Sequence, residues 1–202
     1  MRLACSLWNA AGPGALAEAR RMVAAGVDLF HWDRSDGTMA SPGGFTAAEA
    51  RGIGLGVGAA AEAHLMLARP MEELDLWLEF CELVVVHVEA TDAAAALQRI
   101  EAAGRCGGLA VAPGTPLAAL PSTYRGPVLV MSVIPGQAGG AFQAGTAARV
   151  AALAPRGLVG VDGAVTLERW ADLRRSGARW AVSGTDLLAR PNPPAWREAP
   201  AA

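Results

Sequence analysis

The chain has 202 residues, of which 52% are hydrophobic and 18% charged, and its formal net charge at pH 7 is -2. A charge this close to zero gives no reason to expect a nucleic-acid partner, and no apolar run approaches the length of a membrane span. We therefore expect a cytoplasmic protein that binds neither nucleic acid nor membrane.

All 17 basic residues are arginine, so the chain contains no lysine. Schiff-base chemistry requires a lysine amine, which excludes an imine-forming aldolase and any barrel enzyme that relies on a catalytic lysine. The three cysteines, Cys5, Cys81 and Cys106, flank apolar runs. We expect them to be small buried residues rather than disulfide or zinc ligands.

Apolar, strand-like runs alternate with helical patterns along the whole chain. Strands are predicted at 2–8, 27–33, 61–67, 83–88, 108–112, 127–133, 158–162 and 179–183. Helices are predicted at 13–25, 70–80, 91–103 (capped by Thr91), 115–120, 146–154 and 166–176. Thr46 and Glu49 form a capping-box pattern that opens another short helix, whereas the glycine-rich stretch 52–58 favours no assignment.

Strands that alternate with helices predict a parallel sheet of the α/β class. Eight such units favour a closed (β/α)8 TIM barrel, with an open doubly wound sheet as the alternative. The barrel is expected to occupy residues 1–190 as a single domain, and a proline-rich tail follows at 191–202. Because prolines follow the eighth strand so soon, the last helix is expected to be short or irregular, and another subunit of a homo-oligomer is expected to cover that end.

His31 and Asp33 end the second predicted strand. Side chains two positions apart in a strand point to the same side, so these two are expected to project together while Trp32 faces the helices. A carboxylate at the inner end of a barrel strand needs a partner such as a metal ion. Asp36, in the loop that follows, is interpreted instead as a turn or cap residue.

Two of the chain's three histidines, His31 and His64, end neighbouring predicted strands, which favours metal ligands over structural histidines. The third, His87, lies two residues before Glu89. It is either a further ligand or, as we favour, a structural residue or a group that supports a ligand together with Glu89. Asp162, after the seventh strand, completes a set of two histidines and two carboxylates. This set suits one divalent metal, Zn²⁺ or Fe²⁺ first and Mn²⁺ or Co²⁺ as alternatives.

Glycine-containing turns follow the last two strands, at Gly163-Ala164 and Gly184-Thr185. Backbone N–H groups at two such turns can converge on a phosphate, which is a common arrangement in these barrels. The loop from Ile134 to Phe142 contains Gly136, Gly139 and Gly140, and is expected to act as a lid or as an additional phosphate contact.

In this order, the segments resemble the ribulose-phosphate 3-epimerase family over roughly residues 6–188, as a divergent member. The resemblance is carried by Ser6-Leu7, His31-Trp-Asp-Arg-Ser-Asp-Gly37 (His-x-Asp-x-Met-Asp-Gly in the family), His64-Leu-Met66, His87-Val-Glu89, Pro113-Gly-Thr115, Met131-Ser-Val-Ile-Pro-Gly136 and Val161-Asp-Gly-Ala-Val165. Each motif alone is weak, whereas the ordered set is specific.

The resemblance implies a barrel enzyme of carbohydrate metabolism that epimerises a ketose phosphate at carbon 3, as in the pentose phosphate conversion of ribulose 5-phosphate to xylulose 5-phosphate. It assigns the metal to His31, Asp33, His64 and Asp162. Asp33 and Asp162 are the expected catalytic residues, one removing the carbon-3 proton and the other returning one to the opposite face of a metal-stabilised enediolate. The expected substrate- and phosphate-binding residues are Ser6, Met66, Met131, Gly136, Gly139, Gly140, Gly163, Ala164, Gly184 and Thr185.

The departures from the family pattern fall in the substrate-facing loops. Ser35 replaces a methionine, the loop 38–45 is altered and a residue short, Gln137, Ala138 and Gly140 replace Phe, Gly and Gln, and Ala164 replaces a glycine. The reaction type is therefore predicted more firmly than the small phosphorylated sugar. Two alternatives stay open: a 3-epimerase of another phosphorylated sugar, for example in specialised metabolism, and a non-catalytic phosphosugar-binding relative.

Overall fold

The computed structural model describes residues 1–136, 140–190 and 196. In chain order its strands are β1 Arg2–Ser6, β2 Leu29–Ser35, β3 Gly43–Gly44, β4 Ala60–Met66, β5 Leu83–His87, β6 Cys106–Val111, β7 Val128–Met131, β8 Val159–Asp162 and β9 Trp180–Ser183. All except β3 are parallel neighbours, and β1 pairs with both β2 and β9. The eight parallel strands thus close into the predicted (β/α)8 barrel, and the alternative prediction of an open doubly wound sheet is wrong. The short β3 was not predicted; it pairs antiparallel with the end of β2.

The helices pack around the outside of the barrel. They are α1 Ala15–Ala24, α2 Ala47–Val57, α3 Leu74–Leu78, α4 Ala93–Ala102, α5 Thr146–Leu153, α6 Leu167–Arg175 and α7 Thr185–Ala189. The expected short last helix is confirmed, because α7 has only 5 residues. The helix predicted at 115–120 is a single 3-10 turn, Leu117–Ala119.

The glycine-rich stretch 52–58, for which the sequence pattern favours no assignment, belongs mostly to α2. The capping box is present, since Glu49 N–H donates to Thr46 Oγ1 and the Glu49 carboxylate accepts from Thr46 N–H. A Cβ added to Gly56 would lie 3.1 Å from the Leu16 side chain of α1. This close helix packing outweighs the low helix propensity of glycine.

Two other helix predictions need correction at their starts. The segment predicted at 70–80 is a 3-10 turn, Pro70–Glu72, followed by the brief α3. Between them lies Glu73, with φ at -118°, and its carboxylate pairs with Arg34 of β2 at 2.6 Å. Helix α4 begins after Asp92 without a side-chain cap, so Thr91 does not cap it.

Apolar side chains fill the space between the strands and the surrounding helices. They also fill the barrel interior at the end where the strands begin. Inside the barrel, the Trp180 indole packs against residues that include Leu129 and Val182. A Cβ added to Gly160 would lie 2.2 Å from that indole, so β8 needs glycine there. The tryptophan fills the end where the strands begin, and the cavity lies at the end where they finish.

The cysteine prediction is correct for two of the three residues. Cys5 and Cys81 are buried and free, and burial raises the pKa of the Cys5 thiol to about 12. Cys106 is exposed, because it is the first residue of β6 at the rim of the barrel. Of the predicted tail only Trp196 is described, and its ring packs edge-on against Trp170 at 5.3 Å. Among the described residues, no helix is both long and apolar enough to cross a membrane.

Candidate metal centre and active site

The four predicted metal ligands meet at the carboxyl ends of three strands. His31 and Asp33 come from β2, His64 from β4 and Asp162 from the end of β8. One nitrogen or oxygen of each residue lies within 4.8 Å of those of the other three. His31 and Asp33 share a side of β2, as their spacing predicts, and the barrel brings Asp162 to them from a distant part of the sequence.

His31 is held by a buried carboxylate. Its Nδ1 lies 2.7 Å from Glu62 Oε1, and its Nε2 lies 3.3 Å from Asp33 Oδ1 and 4.0 Å from Asp162 Oδ2. Among the described residues this buried Nε2 has no hydrogen-bond partner. Burial lowers the pKa of His31, but the carboxylates of Asp33 and Glu62 outweigh burial and hold it well above its usual value.

His64 presents its other nitrogen to the same space. Its Nδ1 lies 3.2 Å from Asp33 Oδ1 and 3.4 Å from Asp162 Oδ2. Burial lowers the pKa of His64, whereas hydrogen bonds with Asp162 and Asp33 raise it above its usual value. Two histidine nitrogens thus face two carboxylates around one small volume.

Asp33 is buried, and Ser6 fixes its orientation. The Ser6 hydroxyl donates to Asp33 Oδ2 at 2.6 Å, which leaves Oδ1 facing the histidines. Burial raises the pKa of Asp33, but His31 and His64 outweigh burial and bring it below the usual range. The side chain of Asp162 is 13% exposed, so this second carboxylate has access to the cavity.

The donor set fits a divalent metal ion. The orphaned His31 Nε2 is a buried polar atom that needs a partner, and its Nδ1 is already engaged by Glu62. Imidazole nitrogens combined with carboxylate oxygens are ligands that Zn²⁺ and other divalent transition metals accept. A cation at this position would satisfy the free nitrogen and neutralise the two converging carboxylates.

A cavity of about 350 Å³ opens beside the four candidate metal ligands, His31, Asp33, His64 and Asp162, which we call the quartet. Of the predicted site residues, the following line it: Ser6, Asp33, Met66, Met131, Gly136, Gly140, Asp162, Gly163, Ala164, Gly184 and Thr185. His31 and His64 are fully buried and do not line it. Gly139, like Gln137 and Ala138, lies outside the described residues.

Residues 163–166, 184–186 and 189 form what we call the distal wall of this cavity. Gly163 has φ +105°, and a Cβ there would lie 2.4 Å from the Val133 side chain, so only glycine fits. Ala164, with φ +45°, is the one described non-glycine residue with positive φ. Glycine adopts this left-handed conformation at a free-energy cost about 1–2 kcal/mol lower than alanine does.

The loop after β7 meets the loop after β2 at the cavity mouth. A Cβ added to Gly136, at φ +75°, would lie 2.6 Å from the Ser41 backbone nitrogen. On the other side, a Cβ on Gly43 would lie 2.7 Å from the Trp8 ring. The glycines therefore permit close contact between loops, while the lid function of the loop remains a prediction.

Asp36, in the loop after β2, and Asp186, in the first turn of α7, have different surroundings. Asp36 Oδ1 accepts from Thr38 N–H at 2.7 Å and its Oδ2 from Ala68 N–H at 3.1 Å, as the turn interpretation predicts. Asp186 lines the distal wall, where its Oδ2 accepts from Leu167 N–H at 3.1 Å and its Oδ1 pairs with Arg190 at 3.0 Å.

Sequence reasoning missed several residues of the site. Glu62, the partner of His31, lies two positions before His64 and so shares its side of β4, which was an available signal. Trp8 and Asn9 lie in the turn after β1, and Asp186 follows Thr185, yet none was predicted to line the cavity. Their proximity to strand ends was a signal, but their types fit ordinary loop and cap positions equally well.

His87 lies beside His64, outside the quartet. Its Nε2 is 2.9 Å from His64 Nε2, and its Nδ1 is 3.0 Å from Glu89 Oε2. Burial lowers the pKa of His87 below its usual value. Burial raises the pKa of Glu89, but hydrogen bonds from His87, Thr115 and the Ala112 N–H outweigh it and bring it to about 2.

The profile of the Ribulose-phosphate 3 epimerase family matches residues 2–188 of the chain. No curated protein gives a significant match. A crystal structure of 3-keto-L-gulonate-6-phosphate decarboxylase from Vibrio cholerae is similar with TM-score 0.69 and 11% identity, covering 98% of this chain and 96% of that one. A crystal structure of a 3-hexulose-6-phosphate synthase is similar with TM-score 0.64 and 15% identity, covering 98% of this chain and 99% of that one. For orotidine 5'-phosphate decarboxylase from Pyrococcus horikoshii the TM-score is 0.61 and the identity 14%, with 98% of this chain and 96% of that one covered. At such identities the solved structures support the barrel fold alone.

Proposed function

We propose that this chain, which belongs to the ribulose-phosphate 3-epimerase family, is a metal-dependent isomerase that inverts carbon 3 of a ketose phosphate. Conversion of ribulose 5-phosphate to xylulose 5-phosphate is the type reaction. The observation that carries the proposal is the pair of carboxylates, Asp33 and Asp162, which line one cavity and both approach His64 Nδ1.

The metal would be held by His31 Nε2, His64 Nδ1 and one carboxylate oxygen each from Asp33 and Asp162. When bound, a divalent cation supplies Lewis-acid stabilisation of negative charge that develops on the carbonyl oxygen and the neighbouring hydroxyl oxygen of the substrate. We propose Zn²⁺ or Fe²⁺ first, with Mn²⁺ and Co²⁺ as chemically suitable alternatives.

The two aspartates move the proton. One carboxylate accepts the proton from carbon 3, and the other, protonated beforehand, donates its proton to the opposite face of the same carbon. The direction of the reaction decides which aspartate acts first. The hydroxyl of Ser6 holds the Asp33 carboxylate in place through Oδ2. Met66 and Met131 are buried in the cavity wall, and their apolar side chains limit the access of water to the reacting carbon.

The distal wall would bind the phosphate. We propose that the backbone N–H groups of the Gly163-Ala164 and Gly184-Thr185 turns donate hydrogen bonds to it. Thr185 is held at its hydroxyl by Asn9, at 2.6 Å, which ties this turn to the loop after β1.

A different phosphorylated sugar is the second candidate, and two features of the distal wall favour it. Ala164 adds a methyl group at a position where the family has glycine, and Asp186 places a carboxylate in the wall. Both shape the surface that would face the far end of the substrate, and neither belongs to the proposed set of metal ligands. Since the chain has no lysine, chemistry that needs a lysine amine is excluded for either substrate.

The test is proton exchange in heavy water with the Zn²⁺- or Fe²⁺-loaded protein and a panel of ketose phosphates that includes ribulose 5-phosphate. We expect deuterium at carbon 3 of the product, and we expect Asp33→Ala and Asp162→Ala each to lower the rate at least about 10³-fold. Asp172→Ala, on the exposed side of α6, is the matched control and should exchange normally. Full activity of either cavity variant, or turnover without exchange, would contradict the two-aspartate mechanism.

We propose that the protein works in the cytoplasm as a homo-oligomer, because α7 gives little cover to its end of the barrel. Light scattering coupled to size-exclusion chromatography measures the assembly, and a monomeric mass would contradict it.

A further inference from the structure

His64 and His87 form a buried contact between two ring nitrogens. The two Nε2 atoms are 2.9 Å apart, and both histidines are almost fully buried. A hydrogen bond between two ring nitrogens requires one hydrogen between them, because one nitrogen must donate and the other must accept. The contact therefore has a direction, and the direction decides which nitrogen of His64 carries a hydrogen.

Glu89 sets that direction. Its Oε2 lies 3.0 Å from His87 Nδ1, and its Oε1 accepts from the Ala112 N–H at 2.9 Å. An ionised carboxylate only accepts hydrogen bonds, so His87 Nδ1 must carry the hydrogen that it donates. In a neutral ring His87 Nε2 is then an acceptor, and it takes its hydrogen bond from His64 Nε2.

The consequence reaches the metal site. When a metal is bound and the ring is neutral, a hydrogen on His64 Nε2 would leave the lone pair of Nδ1 for a metal between Asp33 and Asp162. We propose that Glu89 and His87 are positioning residues that fix this tautomer of His64 and so prepare Nδ1 as a metal ligand. The inference rests on the proposed metal-dependent function and names two residues that act on the metal through a third.

The other histidine of the quartet is prepared by a shorter route. Glu62 accepts directly from His31 Nδ1, which leaves Nε2 as the free nitrogen. The two ligands thus offer opposite ring nitrogens, and each has a carboxylate at the far end of its hydrogen bonds. This parallel supports the assignment, because one carboxylate reaches its ligand directly and the other only through His87.

The test measures Zn²⁺ affinity by competition with a chelating dye, and the tautomer of His64 by ¹⁵N NMR of the Zn²⁺-loaded protein. In Glu89→Gln the amide oxygen keeps its hydrogen bond from the Ala112 N–H, so the amide NH₂ faces His87 Nδ1. The NH₂ group donates there, and this reverses the direction of the hydrogen bonds from residue 89 through His87 to His64. We expect Zn²⁺ affinity to fall about 10- to 100-fold, the range for residues that support a metal ligand. Glu79→Gln, which removes an exposed ion pair with Arg51, is the matched control and should keep wild-type affinity.

Two substitutions of His87 separate positioning from packing. His87→Leu removes the acceptor and should lower Zn²⁺ affinity as Glu89→Gln does, whereas the amide oxygen of His87→Gln can accept from His64 and should restore part of it. Circular dichroism and Tm establish that each variant is folded. Unchanged affinity in Glu89→Gln and His87→Leu, or a hydrogen on His64 Nδ1 in the Zn²⁺-loaded wild type, would overturn the inference.

These outcomes are distinct from failure of the proposed function. A wild-type protein that binds Zn²⁺ and shows the expected tautomer, but exchanges no substrate proton, overturns the epimerase and leaves the inference standing. A wild-type protein that binds none of Zn²⁺, Fe²⁺, Mn²⁺ and Co²⁺ overturns both.

Discussion

At one end of the cavity the proposed metal ligands stand on barrel strands, whereas at the other end turns and the short α7 supply the surface. His31, Asp33 and His64 each have a buried hydrogen-bond partner that fixes their orientation. The distal wall relies on backbone turns, and one departure from the family pattern, Ala164, lies in it. Strand register holds a reacting group to a small volume, while turns can change without disturbing the barrel.

The metal end is expected to give the largest effect. Zn²⁺ at about 1,000 times its Kd should stabilise the folded protein by about 4 kcal/mol if it binds only that state. For a chain of this length such a gain raises Tm by about 8–16 °C. Calorimetry with and without Zn²⁺ measures the shift, which Asp162→Asn should reduce strongly and Asp172→Asn should preserve. A full shift in Asp162→Asn would remove Asp162 from the ligand set.

The distal wall carries a backbone conformation that can be relieved. Ala164→Gly removes the cost of a left-handed alanine but increases the freedom of the unfolded chain, for a net gain of about 0.5–1 kcal/mol in unfolding free energy. Ala152→Gly, on the exposed face of α5, is the matched control and should lose a similar amount. Urea denaturation compares the two, and a loss of stability in both would mean that Ala164 is not strained.

The smallest effect is expected from the charge of the distal wall. Asp186→Asn keeps an oxygen for the Leu167 N–H but removes a negative charge that faces the proposed phosphate position. We expect KM for a phosphorylated ketose to fall about threefold at low salt with kcat unchanged, and the difference to shrink as salt is added. Glu168→Gln, which removes the other carboxylate paired with Arg190, is the control. Equal effects of both variants would assign the change to Arg190 rather than to Asp186.

Much of the fold and of the metal end was predictable, because both depend on short-range patterns. Alternation of strands with helices predicted the barrel, and a spacing of two placed His31 and Asp33 on one side of β2. The glycine-rich part of α2 was not assignable, since its helix depends on packing against Leu16 of α1 rather than on its own residues.

The contacts between distant segments were harder to predict. Glu62 was recognisable by its spacing from His64, but its bond to His31 crosses from β4 to β2. Asp186 reaches the cavity because α7 begins at the end of the barrel where the cavity lies. Its residue type gave no signal, because aspartate is an ordinary residue for a first helical turn. The site was therefore predictable where one strand carries it, and less so where two segments meet.

The hydrogen bond between Asn9 and Thr185 joins the first and last units of the barrel, 176 positions apart. The guanidinium of Arg21 in α1 also binds the Leu188 carbonyl at 2.6 Å, and β1 pairs with β9. The distal wall is thus finished only when the end of the chain returns to its beginning. A ribosome-bound chain that stops before β9 has no Gly184-Thr185 turn, so the proposed phosphate site stays incomplete until that turn has been synthesised.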